Sequence, residues 1–167
     1  MSFSTEVIKW QERYGRHDLP WQRPLSAYRV WISEIMLQQT QVATVKGYFS
    51  RFIKAFPDVD TLAESPIDRV LAAWAGLGYY RRAQHLHKAA QMIVQHHDSE
   101  VPTDPEQLIK LPGIGKSTAH AIASIAGNKP FAILDANVKR VLARYWGIKE
   151  DLTKASVKSK LFERAQS

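Results

Sequence analysis

Cysteine is absent from this 167-residue chain, so it forms no disulfide and offers no thiolate to a zinc ion or an iron–sulfur cluster. No apolar run approaches the ~20 residues that span a bilayer. The opening stretch MSFSTEVIKWQERYG also lacks the apolar centre of a secretion signal. These absences read as a soluble, intracellular, cytoplasmic protein, expected to be a monomer. Acidic residues are in deficit, 16 against 23 Lys plus Arg, for a formal charge of +7. That balance favours a polyanionic partner, although proteins that bind none carry similar charge. Alternating polar and apolar residues never run long enough to argue for a sheet. What is present is a 45% hydrophobic chain, enough for one large core or two small ones sharing an interface.

The spacing is helical almost throughout, and the fold class predicted is all-α. Helices are predicted near 4–14, 27–38, 41–55, 66–76, 80–97, 104–110, 116–127, 136–146 and 153–165. Several starts carry chemical signs: Ser65, Pro66 and Asp68 as an S-P-x-D cap, and Thr103 with Glu106 as a T-x-x-E capping box with Pro105 in the first turn. Gly76 and Gly78 close the helix before YYRRAQHLHKAAQ, in which Leu86, Ala89, Ala90 and Ile93 form the inward face.

The stretch LPGIGKSTAHAI, Leu111 to Ile122, invites a phosphate-loop reading that the sequence rejects. That motif needs a second glycine five positions before Gly115, where Lys110 stands, and a β-rich strand where DPEQLIKL stands. The alternative is a helical hairpin. One helix enters, Pro112 stops it, Gly113 and Gly115 bracket a tight turn with Ile114 pointing inward, and Lys116, Ser117 and Thr118 open the next helix. Bare amides at such a turn suit one backbone phosphate. On the hairpin alone, a plain packing αα-hairpin is equally open.

Two carboxylates stand out. In SAYRVWISEIMLQQTQVATV a helix is apolar nearly all round, which is an interior pattern, and Glu34, Gln38 and Gln41 fall on the one polar strip at i, i+4, i+7. Glu34, with Val30 and Leu37 as neighbours, is expected to have a raised pKa and to donate a proton near neutrality. A buried glutamate paired to an arginine, or an exposed residue on a mis-assigned face, is the structural alternative. In FAILDANVKRVLARYW, Asp135 falls at a helix N-terminus, where it is either an ordinary cap or a carboxylate held ionised by amides and the helix dipole. One neutral acid and one charged carboxylate is the pairing that cleaves a glycosidic bond through a cationic sugar.

With those residues in place, the chain resembles the helix-hairpin-helix DNA glycosylases, and among them the adenine-removing MutY type. The resemblance rests on five blocks in order: LPW at Leu19, VWISEIMLQQTQVATV from Val30, GLGYYRRAQHLHKAA from Gly76, LPGIGKSTA from Leu111 and ILDANVKRVLAR from Ile133. It implies a two-lobed helical body with DNA in the cleft. Residues 28–132, with the hairpin at 105–127, would form one lobe; 1–27 and 133–167 would form the second. The implied substrate is adenine opposite 8-oxoguanine or guanine in double-stranded DNA, removed by hydrolysis in base excision repair.

By the same resemblance, Glu34 protonates adenine N7 and assists water, while Asp135 stabilises or transiently bonds the sugar cation. Gln39 and Tyr79 match the family's duplex-wedging positions, Gln38 and Gln41 fit supporting roles, and Asn137 fits a DNA contact. Lys116 matches a phosphate-contacting residue. Ser117 stands where strand-cleaving relatives have a Schiff-base lysine, which implies base removal without efficient strand scission. The backbones of Leu111, Gly113 and Gly115 match a monovalent-cation site. Two positions depart from the family: Ala136 and His120, where glycine is usual. Longer relatives continue to a four-cysteine [4Fe-4S] loop and an 8-oxoguanine-reading domain; neither is present in these residues, so no cluster is expected here. Arg81, Arg82 and Lys88 read as phosphate contacts, and the histidines at 85, 87, 96 and 97 as solvated surface rather than metal ligands. A different damaged-base or mismatch glycosylase, and a non-catalytic DNA-binding module, are the competing functions.

Overall fold

Helix is the local outcome because apolar residues recur every three to four positions between capping residues, and all regular structure among the described residues is helical. A computed structural model describes residues 2–166. The helices are α1 (Phe3–Tyr14), α2 (Ala27–Leu37), α3 (Val42–Ala55), α4 (Val59–Glu64), α5 (Ile67–Trp74), α6 (Arg81–His96), α7 (Pro105–Leu108), α8 (Lys116–Ile125), α9 (Ala136–Tyr145) and α10 (Ala155–Gln166). No helix among them is long and apolar enough to cross a membrane.

Side chains capture the orphan amides at several starts. Ser2, Ser26, Asp58 and Asp135 each accept the backbone N–H three residues on, at α1, α2, α4 and α9. Two predicted caps are different. Asp104, not Thr103, caps α7 by accepting from Glu106 N–H, and the predicted 104–110 helix is a single turn. Ser65 starts nothing; its hydroxyl donates back to the Thr61 carbonyl at 2.7 Å and finishes α4, while Pro66 occupies the N-cap of α5 with no side-chain bond. The helix α4 itself was not predicted. Six residues are too few to display a 3.6-residue period, and only Asp58 marked it.

Most of the apolar surface gathers into one core. Trp31 and Met36 of α2, Phe49 and Phe52 of α3, Phe56, Trp74 of α5 and Ile93 of α6 are all fully buried there. Phe52 meets Trp74 edge-on with ring centroids 5.9 Å apart, the arrangement favoured by aromatic quadrupoles. Leu19 and Trp21 pack with this core. A second, smaller cluster joins Leu142 of α9 to Val157 and Leu161 of α10, and Phe3 reaches it by stacking on Tyr145 at 4.1 Å. The large core thus fixes α2 against α8, and the small one fixes α9.

Candidate active site

Glu34 lies in the third turn of α2, flanked by buried Val30 and half-buried Leu37. Its carboxyl is pushed up to about 7, first because the surroundings strip water from the charged form and second because the Asp135 carboxyl is near. No basic side chain pairs with it among the described residues, so the alternative of a glutamate satisfied by arginine does not hold.

Asp135 reaches this position as the N-cap of α9, where its Oδ1 accepts the Val138 N–H at 2.7 Å. The extended segment before it is clamped at Ala132. His120 Nδ1–H donates to the Ala132 carbonyl at 2.9 Å, and Gln166 Oε1 accepts the Ala132 N–H at 2.8 Å. His120 is itself buried between the Phe131 and Phe162 rings. Where glycine is usual by resemblance, this chain has therefore a side chain that holds the segment carrying Asp135.

The hairpin forms as predicted from α7, a turn and α8. Gly113 takes φ +79, and a Cβ there would approach His85 Cβ to 3.0 Å, so only glycine fits the turn without displacement. Ile114 is buried beneath it. Gly115, exposed, is the N-cap of α8 with no side-chain bond, leaving the first amides of α8 uncapped. Gln38 ties α2 to this hairpin, with Nε2 3.4 Å from both the Gly113 carbonyl and Thr118 Oγ1. Ser117 and Lys116 are exposed at the first turn of α8, and Lys116 Nζ lies 4.1 Å from the Phe162 ring centroid. An open pocket of about 400 Å³ is lined by Lys116, Ser117, His120, Leu134, Lys158 and Phe162. Neither Glu34 nor Asp135 lines it, although Leu134, the residue before Asp135, does.

Gln39 and Tyr79 are both exposed, and both adopt left-handed backbone, φ 57 and φ 51. Arg81 is exposed at the start of α6, and Asn137 is exposed with its Oδ1 accepting from Arg140 at 2.7 Å.

Three sequence readings need correction. Gln41 does not continue the Glu34 strip, because α2 ends at Leu37 and Gln41 is the N-cap of α3. Arg82 is no phosphate contact: it is 9% exposed, and both terminal nitrogens of its guanidinium face inward onto protein acceptors, chiefly backbone carbonyls. His87 is not solvated either; it is buried with Nε2–H donating to the Ser65 carbonyl at 2.8 Å. The signal for both was present. Arg82 is one turn before Leu86 on the inward face of α6, and His87 falls between Ala83 and Ala90 on the same side.

A family model described as HhH-GPD superfamily base excision DNA repair protein matches residues 32–166, from the middle of α2 to the end of α10. The chain belongs to that superfamily. Among similar HhH-GPD proteins, the adenine DNA glycosylase of Buchnera aphidicola subsp. Baizongia pistaciae is 51% identical over 146 residues, covering 87% of this chain and 42% of the relative. That of Buchnera aphidicola subsp. Schizaphis graminum is 46% identical over 160 residues, covering 96% of this chain and 46% of the relative. The chain thus spans less than half the length of these curated relatives. A solved thermostable thymine-DNA glycosylase superposes with TM-score 0.88 at 26% identity, over 98% of this chain and 75% of that one. The all-helical HhH-GPD fold is therefore the fold of this protein.

Proposed function

We propose that this chain carries the base-excising chemistry of an adenine DNA glycosylase, acting on adenine opposite 8-oxoguanine or guanine in duplex DNA. The observation that carries the proposal is the carboxyl of Glu34, held near pH 7 in an apolar setting and facing Asp135. Near neutrality a substantial fraction of Glu34 is protonated, and that form donates its proton to adenine N7. The N-glycosidic electron pair then leaves with the base, and the sugar acquires positive charge at C1′. Asp135 stabilises that cation from the N-terminus of α9. Water adds at C1′, and the Glu34 carboxylate accepts the proton released.

The surrounding groups support extrusion of the base. Gln39 and Tyr79 are exposed on left-handed turns and fit the vacated stack, as base extrusion requires. The amides at Gly115 and Lys116, with the Lys116 and Arg81 side chains, suit backbone phosphates. The backbones of Leu111, Gly113 and Gly115 would also hold a monovalent cation, supplying charge against a phosphate. Gln38 steadies the hairpin against α2. With a hydroxyl at Ser117 rather than an amine, no Schiff base forms there, and the product is an abasic site in an intact strand. A cysteine-ligated [4Fe-4S] cluster does not fit the donor set of these residues, which contain no cysteine.

The likeness to a thymine-DNA glycosylase favours one competing reading, excision of a mispaired pyrimidine on the same scaffold. The identity of the released base separates the two. Chromatography of the supernatant after incubation with duplexes carrying A:8-oxoguanine, A:G or G:T should yield free adenine from the first two alone. Thymine from the third, without adenine, would reject the proposal.

A further inference from the structure

Arg82, the second residue of α6, lies where two turns meet. Its Nη1 donates to the carbonyls of Ile35 at 3.0 Å, Met36 at 2.8 Å and Gln38 at 2.6 Å, which are end-of-helix acceptors of α2 left without intrahelical partners. Its Nη2 donates to Thr40 Oγ1 at 3.1 Å and to the carbonyls of Gly78 at 3.2 Å and Leu77 at 3.4 Å. The guanidinium carbon is 5.4 Å from the ring centroids of both Trp74 and Tyr79. Trp74 reinforces the second turn, its indole N–H donating to the Gly78 carbonyl at 3.1 Å.

One side chain therefore grips the backbone before Gln39 and the Thr40 hydroxyl after it and, at the same time, the backbone before Tyr79 and the Tyr79 ring. These two residues share an uncommon feature: each is a non-glycine residue at positive φ, a conformation that persists where surrounding contacts over-determine it. Six acceptors on two turns, all fixed by one buried planar fork, supply that determination. A lysine has no equivalent geometry, because its ammonium is compact and has three donors.

We infer that Arg82 is a positioning residue that locks the Gln39 turn and the Tyr79 turn into a single preorganised wedge, so that both side chains enter the duplex together when the base is extruded. The inference rests on the base-excision reading, which supplies the duplex and the extruded base. Its physical content is entropic. Two side chains on independent turns each lose freedom on entering the stack, whereas two held in register have lost it already.

The test uses a duplex with 2-aminopurine in place of the target adenine opposite 8-oxoguanine, whose fluorescence rises when that base leaves the stack. Three forms of the 167-residue chain are compared at saturating protein: parent, Arg82→Lys and Thr40→Val. The expected amplitude falls about fivefold or more in Arg82→Lys and about twofold in Thr40→Val. Affinity for an undamaged duplex should stay within about twofold, because Arg82 contacts no solvent-facing phosphate. In the parent, the losses caused by Gln39→Ala and Tyr79→Ala should be non-additive; in the Arg82→Lys background they should become additive. An Arg82→Lys chain with parental amplitude and the same non-additivity overturns the inference while leaving the excision reading intact. If Arg82→Lys melts below the assay temperature, Thr40→Val decides: parental amplitude in that variant overturns it. A folded parent that gives no rise at all counts against the excision reading and this inference together.

Discussion

Replacing Glu34 with glutamine should make the protein more stable and inactive at once, and the two effects should separate by pH. The folded state holds the Glu34 carboxyl at about 7 against an ordinary 4.5. Between these values the folded chain binds a proton that the unfolded chain has lost, so stability falls as pH rises through this window. Below about 4.5 both states are protonated and the group imposes no penalty; above about 7 both are ionised and the penalty is complete. At ~1.4 kcal/mol per pH unit, the gap amounts to ~3 kcal/mol. Glutamine keeps the size and stays neutral, so at pH 8 Glu34→Gln should melt above the parent by roughly 6 to 12 °C, given ~2–4 °C per kcal/mol for a domain of this size. Near pH 4.5 the two melting curves should converge. Matched calorimetric or circular-dichroism melts across pH 4.5 to 8.5 provide the assay. A variant no more stable than the parent at pH 8, or a difference that persists unchanged on acidification, would refute the reasoning that Glu34 is destabilised by burial and by Asp135.

Asp135→Asn should lower single-turnover excision by roughly a hundredfold or more, since the cationic sugar loses its counter-charge. Its melting temperature should stay near the parent's, because asparagine caps α9 about as well as aspartate does. Ser117→Lys should introduce borohydride-trappable cross-linking to DNA, whereas the parent traps none; trapping by the parent would contradict base removal by water. His87→Leu should destabilise by ~1–3 kcal/mol, measured by urea melts, because the buried Ser65 carbonyl loses its donor. An unaffected midpoint would show that this carbonyl finds another partner.

The parts of the fold written in local pattern were legible in the sequence. Long helices such as α2, α3 and α6 announce themselves by spacing, and the hairpin by Pro112, Gly113 and Gly115. Glu34 was legible for the same reason: a carboxylate in a helix apolar all round has nowhere to go but inside. Its proximity to Asp135 was suggested by chemistry and resemblance, not by spacing, because it depends on how α2 and α8 pack against the segment before α9. Gln41 was misplaced because a helix that stops after Leu37 looks, by composition, like one that continues; Gln38 to Thr40 contain no glycine or proline to mark the break. Arg82 and His87 were misread through residue type. A charged or polar side chain on an inward face is assumed to be solvated until the unpaired carbonyls that receive it are known, and those carbonyls come from α2 and from Ser65. The role of His120 was hidden likewise, since its acceptor at Ala132 lies across a turn the pattern does not specify.

The most direct test of the central claim is a single-turnover assay on duplex DNA with adenine opposite 8-oxoguanine, read as strand breakage with and without hot alkali. The account predicts breakage at the adenine only after alkali, with a rate that falls as pH rises above about 7 and a loss of roughly a hundredfold or more in Glu34→Gln. Breakage that persists in Glu34→Gln, or none from a folded parent chain, would contradict it.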